Sequence, residues 1–468
     1  MLAPASPAIA TNRFGLGARP GELGRIGGDA REWLRAQLRG APPLLAGPDL
    51  RPAAQTLAQA LQLRRDIATQ KRAARLAGVR AAEQAMKLGQ FLRPLYVSEA
   101  TARLQQAVGT ERPWVERLTQ FWANHFAVSV DKQLLAGLAG AFEREAIRPH
   151  VLGRFRDLLV AAETHPAMLL YLDNYLSIGP HSPGAERLER RQAERRVGIN
   201  ENLAREILEL HTLGVGGGYT QGDVTSFAEV LTGWSIGGPH GRFAGGGEPG
   251  QFVFRSELHE PGAKVLLNTR YRDGGIEQGL AVLGDLARHP STAHFIATKL
   301  TRHFIADEPP PAAVARVAGA FVASEGDLPS VYQALLEARE AWVEPLSKYK
   351  TPNDFLVSAY RGLSLPVEAG NGALAPLELL GQRTWQPGSP AGWPDRSPDW
   401  DGASALMKRI EWADQLGGRL GSHRDARELV PQLLGANLSE ATRTAIARAA
   451  SPAQGLTLLL AAPEFMRR

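Results

Sequence analysis

The residues best suited to chemistry lie in the segment NENLAREILELHTLG, residues 200–214. On a helical wheel that turns about 100° per residue, Asn202, Glu206 and Glu209 fall within about 60° of one another. Carboxylates three positions apart on a helix repel each other unless a cation, a proton or an arginine lies between them. The segment therefore predicts an acid–base or metal site on one face of a helix.

The same two glutamates also have a purely structural explanation. Arg205 lies in the same segment and Arg154 begins an earlier predicted helix, so both carboxylates could be neutralised by guanidinium groups. This is the more common arrangement in proteins. The two explanations differ in geometry: an active site needs Glu206 and Glu209 to face an accessible hollow, whereas a structural pair is clamped by arginines.

Further oxygen ligands are available close to this segment. Asp173 in YLDN would add a carboxylate, and carboxylate oxygens are the ligands that Ca²⁺ and Mg²⁺ prefer. A hard divalent cation held by Asp173, Glu206 and Glu209 is therefore one prediction, with Asn200 and Asn202 as positioning groups. The spacing matches no known calcium-binding loop.

Two histidines each allow two interpretations. His211 falls on the apolar face of the 200–214 helix, where a lone histidine is more often a hydrogen-bonded core residue than a ligand. His125 in QFWANHF lies beside Trp122 and Phe126. It is predicted to be either buried and hydrogen-bonded or a general base whose pKa its aromatic neighbours tune.

Several chemistries are excluded because their residues are missing. The chain has no cysteine, which rules out disulfides, thiolate metal sites and cysteine nucleophiles. It contains no HExxH motif, no P-loop and no GxSxG nucleophile elbow. His294 and His303 are about half a helical turn out of phase on one predicted helix, so they cannot share a metal. No haem, nucleotide or catalytic zinc site is predicted.

One loop of the C-terminal part, GQRTWQPGSPAGWPDRSPDW, is rich in proline, glycine and tryptophan. Trp385, Trp393, Trp400 and Trp412 lie in it or close to it. Exposed indoles would form a platform that stacks on sugars, whereas buried indoles would attach the loop to the core. Carbohydrate binding by this loop therefore requires at least two exposed, coplanar indoles.

The elements that must position these residues are mostly helical. We predict a mainly α fold, a large multi-helix domain with a small β-hairpin insertion near residues 250–272. The β-like segments QFVFRSEL and KVLLNTRYR, separated by HEPGA, predict the hairpin. Ser291 and Thr351 are predicted helix N-caps, and Pro352 and Asp354 would occupy the first turn of the second of these helices.

At 468 residues the chain exceeds the size at which a single hydrophobic core usually stops growing, so two helical lobes are expected. Hydrophobic residues make up 44% and charged residues 22%, which is typical of globular proteins and excludes wholesale disorder. We predict four regions: an N-terminal helical arm with a long helix pair (1–110), a central helical core (111–236), a Gly-rich β-hairpin insertion (237–275), and a C-terminal helical lobe with the Trp-rich loop (276–468).

The formal net charge of +5 is concentrated between Arg64 and Lys87, where seven basic residues accompany two acidic ones. No aromatic residues interleave with them, so a solvated helix is predicted and no nucleic-acid partner.

No apolar run approaches the roughly 18 residues that span a bilayer, so no integral membrane association is expected. The N-terminus MLAPASPAIATNRFG lacks a basic n-region, which favours a cytoplasmic location.

Several segments together resemble the bacterial domain-of-unknown-function family numbered 1800. In order, they are FWANHF, LLYLDN, NENLAREILELHTLGVGGGYTQGDV with LTGW, HPSTAHFIATKLTRHF, KTPNDFLVSAYRGL and GWP. The resemblance implies a large helical domain, often exported, which makes the periplasm the alternative location. It also implies a frequent gene neighbour that looks like a sulfatase or alkaline phosphatase relative. It assigns no reaction and no catalytic residue.

Three functional hypotheses follow. The first is an enzyme with a carboxylate-rich acid–base or metal-assisted hydrolytic site, in which Glu206 and Glu209 are ligands or acid–base groups, His125 carries protons, and Asn200 and Asn202 position the reacting groups. The second is a non-catalytic partner or scaffold for the phosphatase- or sulfatase-like neighbour. The third is carbohydrate binding through the Trp-rich loop.

Overall fold

The computed structural model describes residues 5–76, 85–191, 198–238, 246–421 and 423–468. Residues 77–84 of the predicted basic segment and residues 239–245 of the predicted Gly-rich region lie outside these ranges. In the described part of the basic segment, Arg64, Lys71, Arg72 and Arg75 are exposed on a helix. This agrees with the prediction of a solvated helix.

The described residues form a mainly α-helical fold, as predicted from the sequence. The helices before the first strand are α1 (Pro7–Ile9), α2 (Glu22–Ile26), α3 (Ala30–Gln37), α4 (Ala53–Leu76), α5 (Ala85–Gly109), α6 (Pro113–His125), α7 (Ala139–Phe142), α8 (Phe155–Thr164), α9 (Pro166–Tyr171), α10 (Pro183–Arg191), α11 (Asn202–Glu206) and α12 (Gln221–Val230). Three π-helical turns, Ala10–Phe14, Glu143–Ile147 and Ile207–His211, extend or join these helices.

The helices after the last strand are α13 (Ile276–Arg288), α14 (Pro290–Phe304), α15 (Pro311–Ala323), α16 (Leu328–Glu337), α17 (Pro352–Gly362), α18 (Asn371–Leu379), α19 (Ala403–Leu420), α20 (Ala426–Leu433), α21 (Glu440–Ala447), α22 (Pro452–Ala461) and α23 (Pro463–Met466). Short 3₁₀ turns connect several elements along the chain: Gln133–Gly137, Arg148–His150, Asn174–Leu176, Ser256–Leu258, Arg339–Trp342, Ser397–Asp399 and Gly435–Asn437. No helix in the described ranges is long and apolar enough to cross a membrane.

The β structure of the described residues consists of two small antiparallel pairs, β1 (Trp234–Ile236) with β2 (Phe252–Phe254) and β3 (Lys264–Leu266) with β4 (Thr269–Tyr271). The predicted hairpin is confirmed in place, but its pairing differs. KVLLNTRY forms a hairpin by itself because Leu267 and Asn268 adopt φ values of 48° and 62°, which suit a tight two-residue turn. The QFVF segment pairs instead with β1, which precedes it in the chain.

Two large hydrophobic cores and two small clusters hold the described helices together. The first collects buried residues from Ile9 to Leu346, including Trp114 and Trp122. The second is built mainly from residues 355–466, and Leu16, Ala18 and two residues of α5 add to it. The last quarter of the chain therefore packs largely on itself, and an ion pair of 3.1 Å between Arg117 of α6 and Asp354 of α17 joins the two cores.

The N-cap predicted at Thr351 is confirmed, whereas the one predicted at Ser291 is wrong. The Thr351 side chain accepts a hydrogen bond from the backbone N–H of Asp354, and Pro352 follows the cap. Helix α14 instead begins at Pro290, and the imidazole Nδ1 of His289 accepts the N–H of Ser291 at 3.1 Å. A proline at the first position fixes the backbone for helix entry, so the cap moves to the residue before it.

The segment 200–214 is helical, but it is not one regular α-helix. Helix α11 continues into the π turn Ile207–His211, whose wider winding shifts the residues that follow it. Leu208 is therefore fully buried, whereas Leu210, which the regular wheel places on the apolar face, is only partly buried. His211 is buried as predicted.

Candidate active site

Asp173 and Asn200 are engaged in local contacts where the chain enters α11. The Asp173 carboxylate lies 2.7 Å from Lys132 Nζ. The Asn200 side chain donates to the Leu172 carbonyl at 3.1 Å and accepts the backbone N–H of Asn202 at 2.9 Å. The Asn202 residue itself is exposed. These contacts fix the start of the helix.

Neither glutamate of the predicted pair is clamped by an arginine in the described residues. Arg205 binds Glu201 instead, at 2.9 Å. Glu209 accepts a hydrogen bond from the Tyr219 hydroxyl at 3.4 Å, while Glu206 is partly buried without a hydrogen bond or ion pair to another described residue. Burial raises the pKa of Glu206, and the charge of Glu209 adds to the rise.

The predicted metal ligands do not converge. Within the described ranges, no three His, Asp or Glu side chains lie close enough to hold one metal ion together. The structure thus does not bring Asp173, Glu206 and Glu209 together as one ligand set, and Asp173 contacts Lys132 instead.

A cavity of about 380 Å³ lies at the junction of the two cores, between α6, α14, the start of α17 and the loop after α18. Of the predicted site residues, His125 lines it and the other five do not. The segments FWANHF, HPSTAHFIATKLTRHF, KTPNDFLVSAYRGL and GWP each contribute lining residues. The lining side chains best suited to chemistry are those of Arg117, Gln120, Asn124, His125, Lys299, His303, Asp354 and Asp395.

His125 lines this cavity as a buried, neutral imidazole. Its Nε2 lies 3.1 Å from the backbone carbonyl of His211, and a carbonyl only accepts, so Nε2 carries the proton. Its Nδ1 is then a lone-pair acceptor and has no partner among the described residues. Burial holds the pKa of His125 well below its ordinary value, and the charge of Lys299 adds to this.

His303 presents the same arrangement with the two ring nitrogens exchanged. Its Nδ1 lies 3.1 Å from the Asp395 carboxylate, and its Nε2 has no partner within the described ranges. Burial lowers the pKa of His303 to about 4, although Asp395 opposes the shift. The carboxylate therefore fixes the Nδ1–H tautomer and leaves Nε2 as the acceptor.

Arg468 holds the groups behind this second histidine. Its guanidinium donates to the His303 carbonyl at 2.6 Å, lies 2.8 Å from Asp354 and lies 3.6 Å from Asp395. Asp354 also lies 3.1 Å from Arg117. Burial raises the pKa of Asp354, but the charges of the two arginines outweigh it and hold the pKa below its usual range.

Lys299 adds a cation to the cavity. It is partly buried, and its ammonium lies 5.5 Å from the centre of the Phe295 ring. Burial lowers the pKa of Lys299 to about 8. It makes no ion pair with a carboxylate of the described residues, and only the more distant charge of Asp395 opposes the lowering of its pKa.

Sequence reasoning missed most of this site, although part of its signal was present. Lys299 and His303 are four positions apart on α14, a spacing that places both on one face. Arg117, Gln120 and Asn124 follow the same helical spacing on α6. Two polar stripes on two predicted helices were therefore detectable, but which helix faced which was not.

The Trp-rich loop forms one wall of the cavity rather than a sugar platform. Trp400 and Trp412 are buried, and Trp385 and Trp393 are partly buried. The ring planes of Trp393 and Trp400 are inclined at 50°. The loop is attached instead through hydrogen bonds, such as that from Trp385 Nε1 to Glu143 at 3.1 Å. The condition of two exposed, coplanar indoles is not met.

The loop joins α6 beside His125 through one residue. The Asn124 side chain donates to the Trp393 carbonyl at 3.0 Å and accepts its N–H at 2.8 Å. Gly392 makes this approach possible: its φ is +84°, and a Cβ there would overlap the Asn124 carbonyl. The position of Asp395 depends on this attachment, because Asp395 follows Gly392 by three residues in the same loop.

Fold and cavity together define a mainly α-helical protein with a cavity between two hydrophobic cores, lined by two histidines and several charged side chains. The chain belongs to the family described as Protein of unknown function (DUF1800), whose model matches residues 9–467. The resemblance seen in the sequence motifs is thereby confirmed. Comparison with curated proteins and with solved structures gave no significant match.

Proposed function

We propose that the protein is an enzyme that uses the imidazoles of His125 and His303 for proton transfer to and from a small substrate bound in the cavity. One observation carries this proposal. Both rings line the same cavity, and in each ring one nitrogen is held by an acceptor while the other has no partner among the described residues. Fixed orientation with a free nitrogen is what a general base requires.

His303 is the proposed general base, and Asp395 is its positioning residue. Hydrolysis is the reaction class we propose. A water molecule gives a proton to His303 Nε2 while its oxygen bonds to the electrophilic centre of the substrate. The leaving group departs with its bonding electron pair and takes the proton back from the imidazolium. The Nδ1–H bond to Asp395 is kept throughout, so the ring does not rotate between the two transfers.

The Glu206 carboxylate supports a second candidate, the acid–base site of the sequence hypothesis. It is a partly buried acid without a counter-ion in the described residues, and its pKa is raised by burial. The two candidates are adjacent, because the His211 carbonyl that orients His125 belongs to the turn that also carries Glu209. A Glu206→Gln, Glu209→Gln double variant, with elemental analysis of the purified protein, tests this candidate directly.

The test of the first candidate is a comparison of His303→Asn with His294→Asn. His294 is an exposed histidine on the same helix, so it controls for the loss of an imidazole from α14. Both variants and the wild type are assayed on chromogenic esters, phosphate esters and glycosides. We expect turnover by the wild type and by His294→Asn, and a loss of about 100-fold or more in His303→Asn. Turnover that survives in His303→Asn contradicts the proposal, and absence of turnover throughout favours the scaffold hypothesis.

A further inference from the structure

The charges that line the cavity are unequally compensated. Asp354 and Asp395 are its carboxylates, and both are already engaged: Asp354 by Arg117 and Arg468, Asp395 by His303, Lys348 and Arg468. These contacts leave no carboxylate of the described lining for Lys299. The two neutral imidazoles add no charge. The cavity therefore has an excess of positive charge that a bound anion would neutralise.

Two further donors on α6 point to the same ligand chemistry. Arg117 is 1% exposed, yet its terminal nitrogens have no hydrogen bond of good geometry, and only one of them approaches Asp354. The Gln120 amide accepts from Asn353 Nδ2 at 3.0 Å, which leaves its own NH₂ group without a described partner. Arg117 Nε donates to the Gly15 carbonyl, so the unused capacity lies in its terminal nitrogens and in the Gln120 NH₂ group. Buried donors that are not fully used are costly unless a ligand supplies acceptors.

The free imidazole nitrogens have the opposite requirement. His125 Nδ1 and His303 Nε2 are lone-pair acceptors, so each is satisfied by an O–H or N–H group and not by an anion. The cavity thus combines a donor side, with Lys299, Arg117 and Gln120, and an acceptor side formed by the two rings. A ligand that fits both sides carries an oxyanion and at least one hydroxyl or amine.

Building on the proposed enzymatic function, we infer that the substrate is a small hydroxylated oxyanion, with its carboxylate or phosphate group near Lys299 and Arg117 and a hydroxyl at the imidazoles. The volume of about 380 Å³ suits a metabolite-sized molecule rather than a polymer. An anion at this position also strengthens the proposed base, because its negative charge stabilises the imidazolium and so raises the pKa of His303.

Binding to the intact protein tests this inference without a turnover assay. The probes are glycerol 3-phosphate, glycerate, inorganic phosphate and glycerol, titrated calorimetrically at millimolar concentration. We expect the two hydroxylated anions to bind more tightly than inorganic phosphate, and glycerol not to bind. Glycerol 3-phosphate and glycerate decide between phosphate and carboxylate as the oxyanion.

Three variants localise the binding. Lys299→Met is expected to weaken binding about tenfold or more, because it removes a charged donor, and Lys299→Arg is expected to restore most of it. Lys408→Met removes one charge from an exposed position on α19 and is expected to bind as the wild type does. Any one of three results overturns the inference. Lys299→Met binds the anions as tightly as the wild type does, glycerol binds as tightly as glycerol 3-phosphate, or neither glycerol 3-phosphate nor glycerate binds.

His303→Asn separates this inference from the proposed function. It keeps Lys299, Arg117 and Gln120, so we expect it to bind inorganic phosphate as the wild type does. Its turnover should be lost, together with the extra affinity for the hydroxylated anions that His303 Nε2 supplies. If anion binding depends on Lys299 but turnover survives in His303→Asn, only the proposed catalysis is contradicted. Turnover that depends on His303, without anion binding, would contradict the inferred substrate class alone.

Discussion

Replacing His303 by Asn should change how the stability of the protein depends on pH. The pKa of His303 is lowered from its ordinary 6.5 to about 4 in the folded protein, chiefly by burial. The unfolded chain therefore binds a proton near its ordinary pKa, while the folded protein does so only at lower pH. Since the folded pKa is the depressed one, stability is fully present above pH 6.5 and is lost as the pH falls towards about 4.

The size of this loss follows from the shift. At about 1.4 kcal/mol per pKa unit, His303 accounts for a loss of about 3 kcal/mol across that window. The His303 side chain is 15% exposed, so solvent screening makes this an upper value. Asparagine does not titrate, and its amide can donate to Asp395 as the imidazole Nδ1–H does. The variant should therefore lack this share of the acid sensitivity.

Urea unfolding at pH values from 7 to 4, with wild type, His303→Asn and His294→Asn, measures the effect. At neutral pH we expect His303→Asn to be the least stable of the three, because it loses the packing of the ring. Towards pH 4 its deficit should shrink or reverse, while His294→Asn follows the wild type. Parallel curves for wild type and His303→Asn would show that the ring is not held neutral by the fold, and would refute the reasoning.

Three further changes have outcomes that the structure determines. Arg148→Met should lower the free energy of unfolding, measured in urea, by about 3–5 kcal/mol. The Glu116 carboxylate, which lies 2.6 Å from this guanidinium, would then be buried without a counter-ion. Adding Glu116→Gln should recover part of the loss. Gly392→Ala should cost about 2 kcal/mol or more and change the tryptophan fluorescence of the loop, whereas Gly388→Ala, with open space around it, should do neither. Glu206→Gln should raise the melting temperature slightly at neutral pH and not at pH 4. The pKa of Glu206 is raised in the folded protein, so its ionised form, which predominates at neutral pH, opposes folding.

Local features of the fold could be predicted because their causes are local. The cap of α17 depends on Thr351, Pro352 and Asp354, which are adjacent in the chain, and the structure has the hydrogen bond that their types predict. Burial of His211 followed from helical periodicity alone. Where an irregular turn intervened, as at Ile207–His211, the same periodicity misplaced Leu210.

The candidate site depends on contacts that no local pattern contains. Arg468 reaches the His303 carbonyl across 165 positions of the chain, and Asn124 holds the Trp393 backbone across 269. The sequence hypothesis concentrated on Glu206 and Glu209 because two carboxylates on one helix face are visible in a single segment. The pairing of His303 with Asp395 needs two segments and a known fold.

Nuclear magnetic resonance of the protein with side-chain ¹⁵N-labelled histidine tests whether the two cavity imidazoles each present a free acceptor nitrogen, because it reports the protonation of each ring nitrogen. From about pH 6 to pH 8, we expect His125 to be neutral with its proton on Nε2 and His303 to be neutral with its proton on Nδ1. Signals assigned through His125→Gln and His303→Asn would identify the two rings. A doubly protonated ring in this range, or a proton on His125 Nδ1 or His303 Nε2, would show that the cavity does not hold the free acceptor nitrogens that general-base catalysis needs.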